Sequence, residues 1–506
     1  MHAILNETVV MNFFLEEMEE DKISFLRGRK GHQEKIKALI PQMIASPGMN
    51  EKIQTASLLW KALFEAAMTH IDSNKKGYSQ FFQFFDAYVE FEELIFASDS
   101  FYRDHTLHCL WVFFLGEYIR RHDEFAPLFK DMAQSYDTGA VLDQLFVRLG
   151  ITHCFDDFYR LYHNLTVYKE KEDAIRCISA LTHDLGYPIK KFAKINKSIK
   201  RVLPFFSIGD YKEFSFEYTS IQQHYITNFI NFISSDIFCN PQGTAELNFF
   251  SDLLTFDGQK VTGLNLEAVD ALTKEQIELL KNNLKMPLQF IQSEAKTLAF
   301  TSDFQNYEHG IMSAFLLAKN LEAFQNIQYV AGENFSKHTP NYADFMAKQN
   351  ILQSIALHTN ETQRIASIDG FTYLTLVDEL EEFSRISRAS QSREFVTEFC
   401  TSQIYMEDGW LCVDFTFDNE TLENLDPERA FKGRCKRFLT LFDIKNMAPS
   451  LKIRLRCISE LKGKEAIYQL TISHKYADIQ INGISESIPR YLKSNEFYPT
   501  EEYAKL

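Results

Sequence analysis

A histidine and an aspartate stand side by side in the segment A-L-T-H-D-L-G-Y-P-I-K-K, residues 180–191. The imidazole of His183 and the carboxylate of Asp184 can bind one cation at a helix end, because both groups are ligands for divalent transition metals. The preceding residues, K-E-D-A-I-R-C-I-S-A-L-T, open with acidic side chains and predict a helix that stops at Gly186. Taken alone, such a dipeptide is more typical of a polar helix end than of a metal site.

Further side chains that can bind metals follow in order along the chain. His105 and His108 stand three residues apart in H-T-L-H-C-L-W-V, on one face of a predicted helix. His309 opens the apolar-striped segment H-G-I-M-S-A-F-L-L, and His358 ends N-I-L-Q-S-I-A-L-H. Asp378 stands within L-T-L-V-D-E-L-E-E. Each also has an interpretation without a metal. His309 could be a polar residue at a helix start, His358 a C-terminal cation suited to the helix dipole, and Asp378 a paired carboxylate in the core. Their joint order, H…HD…H…H…D, indicates a metal site.

The elements that must position these side chains are mostly helices. Up to about Ser390, apolar residues recur at three- and four-residue steps and glycine and proline are sparse, which predicts helices joined by short loops. Residues from about 235 to 298 include turn-like segments such as C-N-P-Q-G-T and F-D-G-Q-K-V-T-G. We interpret them as an insertion in the helical domain. After about Arg393, segments such as W-L-C-V-D-F-T-F-D and L-K-I-R-L-R-C-I-S alternate apolar and polar residues, as strands do. The predicted fold class is mainly α, followed by a small C-terminal α+β domain.

The composition narrows the class of protein. A chain of 506 residues, with 45% hydrophobic and 24% charged residues, is long enough for two or three globular domains. The formal net charge of −16 argues against a dedicated nucleic-acid coat, since affinity for phosphate backbones comes largely from lysine and arginine. The eight cysteines contain no C-x-x-C pair, which favours reduced thiols. No apolar run suggests a membrane span, and the first residues lack the basic region of a secretion signal. We expect a cytoplasmic protein without a membrane partner.

The ordered blocks resemble the HD-domain superfamily of metal-dependent phosphohydrolases. The matching pieces are H-C-L-W-V after an upstream arginine, Arg103, and then A-L-T-H-D-L-G-Y-P, E-H-G-I-M-S-A, I-A-L-H-T-N and L-V-D-E-L-E-E-F-S-R. They run from His105 to about Arg388, somewhat over half of the chain. The resemblance implies an HD-like helical bundle over residues 96–392, including the insertion at about 235–298. A helical segment at 1–95 would pack on this bundle, and the α+β domain would occupy 393–506.

Carried over residue by residue, the resemblance implies a site for two metals. The ligands of the first metal would be His108, His183, Asp184 and Asp378. His309 and His358 would bind the second metal, which Asp184 would bridge to the first. His108 is preferred to His105 as a ligand because H-C-L-W-V resembles the H-S-L-x-V of the superfamily. His105 would then contact the substrate or support the ligands. His183 and Asp184 are the expected catalytic residues, and Asp184 would also steer the proton of the nucleophile.

Two features depart from the superfamily pattern. Gly-Tyr-Pro directly follows the HD pair here, whereas the HD-GYP phosphodiesterases have this tripeptide well downstream, within a longer H-H-E-x-x-x-G-x-G-Y-P run. The chain is therefore not assigned to that subgroup. The interval between Asp184 and His309 is also long and would have to hold the insertion. His224, in I-Q-Q-H-Y-I, competes with His309 for its role, although a position on an amphipathic helix is the more ordinary interpretation of His224.

A two-metal site suits the hydrolysis of a phosphate ester. Two cations lower the pKa of a bound water, so that hydroxide attacks phosphorus, and they offset the charge on the phosphoryl oxygens. The nitrogen and oxygen ligands favour Mn, Fe, Co or Zn, with Mg also open. We expect a small phosphorylated substrate, a nucleotide or a related ester. Lysine and arginine side chains that could contact its phosphates are Lys190, Lys191 and Lys194, with Arg103, Arg364 and Arg385 as weaker candidates. A solvated helix face is an equally good interpretation of the basic run at 190–201.

Two other functions stay open. Di-iron oxygenases of the inositol-oxygenase type resemble the same H…HD…H…H…D order, with redox-active metals and a polyol substrate. A nucleotide-sensing protein could also keep an HD fold without catalysis, although an idle fold has no physical reason to retain six ligands. The C-terminal domain could regulate the helical domain or form homo-oligomers, and either role fits its sequence.

Overall fold

The computed structural model describes residues 5–96, 104–212, 215, 217–239, 251–257, 260–284, 288–325, 342–360, 362–382, 400–420 and 426–493. The first part of the described chain is helical, and several of its helices begin at a capping residue. Asn6 accepts a hydrogen bond from the Val9 amide at the start of the first helix, and Asp104 accepts one from the Leu107 amide at the start of the fifth. The helices of this part are α1 (Glu7–Glu19), α2 (Lys30–Ile44), α3 (Met49–Ile71), α4 (Tyr78–Phe96), α5 (His105–Arg121), α6 (Lys130–Leu149), α7 (Asp156–Lys169), α8 (Glu172–Thr182), α9 (Tyr187–Val202) and α10 (Ser220–Ile233).

A region with strands interrupts the helices after α10. Strand β1 (Ser235–Cys239) pairs antiparallel with β4 (Leu288–Gln292), so the chain leaves and re-enters the helical part at the same place. Between them lie the hairpin of β2 (Leu254–Asp257) and β3 (Lys260–Leu264) and the helices α11 (Leu266–Asp270) and α12 (Lys274–Asn283). These elements share a separate small core with α6 and the start of α7. The insertion predicted at about 235–298 stays a prediction.

Helices resume after β4 and carry the chain to the end of the helical part. They are α13 (Glu294–Gln305), α14 (His309–Asn320), α15 (Glu322–Gln325), α16 (Tyr342–Leu357) and α17 (Thr372–Leu380). Among the helices of the described residues, none is both long and apolar enough to cross a bilayer.

The C-terminal part is a mixed sheet with a helix packed on it. The six strands lie in the order β10-β9-β8-β7-β6-β5, and β6 and β7 are parallel because α18 connects them. Strand β7 alternates buried and half-buried residues, as expected for a sheet with one covered face. The elements are β5 (Thr401–Glu407), β6 (Trp410–Phe417), α18 (Pro427–Leu441), β7 (Ile453–Ser459), β8 (Ala466–Ser473), β9 (Tyr476–Ile481), β10 (Ile484–Glu486) and α19 (Ile488–Lys493). The predicted fold class, a mainly α chain followed by a small α+β part, is confirmed. The residue limits of the three domains stay a prediction.

The helical core is built around α5, which is buried from His105 to Ile119. Helices α3 and α8 pack against α5, and α16 packs against α8. Trp60 of α3 stacks on Phe85 with ring centroids 3.9 Å apart, and its indole nitrogen donates to the Leu181 carbonyl oxygen at 2.7 Å. This hydrogen bond holds the C-terminal end of α8, and the pair His183–Asp184 comes directly after it.

Candidate metal centre

Asp184 lies at the centre of a group of buried imidazoles. Its Oδ2 is 3.5 Å from His183 Nε2 and 3.6 Å from His108 Nε2. Its Oδ1 is 3.3 Å from His309 Nε2 and 3.6 Å from His358 Nε2. The two carboxylate oxygens therefore face two different pairs of histidines, which is the arrangement of a carboxylate that can bridge two cations.

Asp378 joins the first pair. Its Oδ1 lies 3.0 Å from His108 Nε2 and 3.9 Å from His183 Nε2. Three overlapping triads can therefore each hold an ion, with the ligand atoms of each triad within 4.8 Å of one another. The triads are His108–His183–Asp184, His183–His358–Asp378 and Asp184–His309–His358. The six predicted ligands thus form one buried cluster that could hold metal ions.

Backbone carbonyl oxygens fix the ring orientations of His183 and His358. His183 Nδ1 lies 2.7 Å from the Ala180 carbonyl oxygen, and His358 Nδ1 lies 2.6 Å from that of Ile355. Because a carbonyl oxygen can only accept, the neutral ring carries its hydrogen on Nδ1 and presents a lone pair at Nε2. His358 Nε2 is buried and has no hydrogen-bond partner among the described residues. A lone pair directed at a carboxylate oxygen is unfavourable without a cation between them.

His108 is oriented by a carboxylate instead. Its Nδ1 lies 2.5 Å from Glu381 Oε2, and both side chains are fully buried. A hydrogen bond from Nδ1 to this carboxylate leaves Nε2 facing the cluster, 3.3 Å from His183 Nε2. Where both rings present lone pairs at Nε2, the two repel each other at this separation unless a cation lies beside them. The donor atoms and their orientations therefore fit divalent metal ions.

Burial and charge set the protonation states that a metal requires. Burial lowers the pKa of His183 to about 4 and that of His309 to about 3. For Asp184, burial alone would raise the pKa, but His183, His309 and His358 around it hold the pKa well below its ordinary value. At neutral pH these two imidazoles are neutral and the carboxylate is ionised, so these ligands have no proton to lose on binding a metal.

The HD pair lies in a turn rather than in a helix. The sequence predicts a helix that stops at Gly186, but α8 ends at Thr182, residues 183–186 form a turn, and α9 begins at Tyr187. A Cβ on Gly186 would lie 2.2 Å from the His309 carbonyl oxygen, so only glycine lets the turn approach α14 this closely. Ser313 Oγ accepts from the Gly186 amide at 2.7 Å and lies 2.6 Å from the His183 carbonyl oxygen, to which it can donate. This contact ties the turn to α14.

A second glycine lets α14 approach α16. A Cβ on Gly310 would lie 2.6 Å from the Ile355 carbonyl oxygen and 2.9 Å from His358 Cε1. The close approach places His309, at the start of α14, beside His358, just after the end of α16.

Tyr187 has a place in the site that the sequence analysis missed. Its ring stacks on His309 with centroids 4.0 Å apart and also lies 4.1 Å from the ring of His105. His309 and Asp378 retain 12% and 14% of their side-chain exposure, whereas His108 and His183 are fully buried. His309 and Asp378 are therefore the more exposed of these four ligands, and Tyr187 lies beside His309.

Three residues predicted to contact the substrate, His105, Lys190 and Lys191, each contact another side chain of the protein. His105 points to Glu92 rather than into the triads, with Nδ1 2.5 Å from Glu92 Oε2. Lys190 forms an ion pair with Glu308, and Lys191 Nζ lies 5.3 Å from the centroid of the Tyr187 ring. Their roles toward a substrate stay predictions.

Other candidates lie outside the cluster or outside the described residues. Arg103 and Arg385 are outside the described residues, as is the side chain of Lys194 on α9. Arg364 is exposed. His224 is exposed on α10, where it contacts Asn228, so it does not take the place of His309.

Glu381 is a supporting residue that the sequence analysis did not name. It lies three residues after Asp378, with α17 ending between them at Leu380, and this spacing could have suggested that both carboxylates face the same histidine. We expect Glu381→Gln to lower the affinity for metal about 10- to 100-fold, because His108 would lose the carboxylate that orients its ring. Metal affinity can be measured by competition with a chromogenic chelator. Glu379→Gln is the matched control, since Glu379 pairs with Arg437 on α18. Equal affinities for the two variants would contradict the prediction.

Comparisons of the chain with protein-family models, with curated proteins and with solved structures found no match. The functional conclusion therefore depends on the geometry of the cluster.

Proposed function

We propose that this chain is a metal-dependent phosphohydrolase of the HD-domain type, acting on a nucleotide or a related phosphate ester. The observation that supports it best is the position of Asp184, whose two oxygens face separate pairs of imidazole nitrogens. A bridging carboxylate of this kind suits two metals close enough to act on one phosphoryl group.

In the proposed site, each metal has its own ligands. The first would be held by His108, His183, Asp184 Oδ2 and Asp378, and the second by Asp184 Oδ1, His309 and His358. When bound, the ions would lower the pKa of a water molecule and offset charge on the phosphoryl oxygens.

The other side chains of the site would bind and orient the substrate. Tyr187, whose ring contacts those of His309 and His105, would pack against the substrate. Lys191, close to this ring, would attract the anionic ester. His105, oriented by Glu92, would hold the proton that the leaving oxygen needs.

The test combines metal analysis with a substrate screen. The purified protein would be stripped with chelator, reloaded with Mn, Fe, Co, Zn or Mg, and assayed with nitrophenyl phosphate mono- and diesters and with nucleotides. We expect up to two metals per chain and hydrolysis of at least one ester, abolished by the chelator. Oxygen uptake with a mixed-valent iron signal would instead identify an oxygenase. Full metal loading without hydrolysis of any ester would favour a sensing role.

A further inference from the structure

A cavity of about 680 Å³ lies away from the metal centre, and none of the six clustered ligands lines it. Its walls come from α5, α7, α8, β1, α16, the segment 366–371 that leads into α17, and residues 446 and 448 of the C-terminal part. Helix α8 precedes the HD pair, α16 precedes His358 and α17 carries Asp378. Helices α8 and α16 and the segment before α17 therefore line the cavity, and each of them leads along the chain to a proposed metal ligand. The volume is in the range of pockets that bind small molecules.

Two glutamine side chains offer acceptors to this cavity. Gln349 Nε2 donates to the carbonyl oxygens of Phe232 and Ser235, at 3.0 and 2.8 Å. Gln353 Nε2 donates to those of Ile233 and Ser235, at 2.8 and 2.9 Å. Because these neighbours can only accept, the orientation of both amides is fixed and each Oε1 lies on the opposite side.

The two amide oxygens are one helical turn apart on α16 and both residues line the cavity. No described residue donates to either oxygen. A ligand edge with neighbouring N–H groups, such as that of a purine, is complementary to this pair of acceptors.

Arg120 gives the cavity a positive charge. It lies at the end of α5, and its guanidinium stacks over the Phe129 ring at 4.8 Å. No described residue accepts a hydrogen bond from this guanidinium and no described carboxylate forms an ion pair with it; its Nε is buried, so the two terminal nitrogens are the ones that can meet a ligand. A guanidinium that lines a cavity and has no carboxylate partner suits an anionic ligand.

Other charged side chains that line the cavity form ion pairs or hydrogen bonds with the protein itself. Arg176 pairs with Glu117 and Asp173, and Asp236 pairs with Lys296. Asp369 Oδ1 accepts from the amides of Phe371 and Thr372. Glu172 also lines the wall and has the opposite sign to Arg120, so the anion of a ligand must lie on the Arg120 side.

The rest of the lining is largely apolar. Leu165, Ile175, Ile237 and Met346 lie on it, together with Ile368 and Phe371. Such walls cover the faces of a flat ring and leave its polar edge to the glutamines.

We propose that this cavity is a second ligand site, for a planar heterocycle that carries N–H groups and an attached phosphate. Gln349 and Gln353 accept from the ring edge, and Arg120 binds the phosphate. The site is distinct from the metal centre and does not depend on the function proposed for it.

The test uses the full-length protein in which Asp184→Asn disables the metal centre, so that binding there does not obscure the result. The probes are GMP and AMP, the matching nucleosides, and inorganic phosphate, with binding measured by calorimetry. We expect a purine nucleotide to bind, and Arg120→Gln in the same background to weaken its binding about 10- to 100-fold, as expected for a charge-assisted hydrogen bond. The nucleosides should bind more weakly than the nucleotides and should be insensitive to Arg120→Gln.

Arg148→Gln is the control, because Arg148 is an exposed arginine that pairs with Asp270 away from the cavity. It should leave nucleotide binding unchanged. The proposal is overturned if no probe binds, if Arg120→Gln and Arg148→Gln have the same effect, or if a nucleotide binds the wild-type protein but not the Asp184→Asn protein. A melting curve for each variant confirms that it is folded.

Discussion

Asp184→Asn is expected to empty both halves of the metal centre, whereas His358→Ala is expected to empty only one. Asp184 faces both pairs of histidines, through Oδ2 on one side and Oδ1 on the other. The amide of asparagine keeps the shape of the side chain but removes the charge that both proposed cations would need. His358 faces only Oδ1, so its loss should leave the first set of ligands intact. Metal per chain, measured by plasma mass spectrometry, should fall close to zero for Asp184→Asn and by about half for His358→Ala.

Hydrolysis provides a second measurement for the same variants. We expect Asp184→Asn to lower the rate by roughly three orders of magnitude or more, because charge stabilisation worth several kcal/mol is lost. His224→Ala is the matched control, since His224 is an exposed histidine of α10 that lies outside the triads. Its metal content and rate should equal those of the wild type. A full metal content in Asp184→Asn would rule out a bridging role for this carboxylate.

Glu117→Gln is expected to lower the free energy of unfolding by about 3 kcal/mol, because it removes the buried charge that two mostly buried guanidinium groups share and leaves them only Asp173 as an ionised partner. Glu117 is 1% exposed and receives Arg121 and Arg176, each at 2.7 Å. Both arginines also pair with Asp173, at 2.7 and 2.6 Å, so the network joins α5 to α8. Denaturant unfolding followed by circular dichroism measures the effect. Arg148→Gln, in an exposed pair with Asp270, should change the same quantity by less than about 1 kcal/mol.

The same network should make the protein sensitive to acid. Burial would raise the pKa of Asp173, but Arg176 and Arg121 outweigh it and hold the pKa below the ordinary value of 3.8. The unfolded chain therefore takes up a proton at a higher pH than the folded one. The stability that Asp173 contributes is present above about pH 4 and is lost as the pH falls below this value. Asp173→Asn should be less stable at neutral pH but should show a shallower loss between pH 4 and pH 2. An unchanged slope would contradict this assignment.

The periodic parts of the sequence predicted their own structure well. The three- and four-residue spacing before Ser390 and the alternation after Arg393 both reflect which side chains are covered by neighbouring elements, and this information is local. The C-terminal strand L-K-I-R-L-R-C-I-S, for example, corresponds to β7, with alternate residues buried.

Other features depend on contacts between residues far apart in the sequence, which the spacing of apolar residues does not predict. His105 and His108 lie one turn apart on the same helix, but only the rotation of α5 in the core decides that His108 faces Asp184 and His105 faces Glu92. The turn at residues 183–186 replaced a predicted helix end because Gly186 packs directly on α14. The cavity was not predicted because Arg120 and Gln349 are far apart in the sequence and meet only in the folded chain.

The contact between His108 and Glu381 joins residues 273 positions apart along the chain. Closing so long a loop removes a large amount of chain entropy, and the proposed metal ligands His309, His358 and Asp378 follow the region of β1–β4. During synthesis, the early helices α1–α8 can therefore pack long before the last ligands emerge from the ribosome. The metal centre can be completed only when α17 docks, so metal uptake would mark the end of folding in the helical part rather than its beginning.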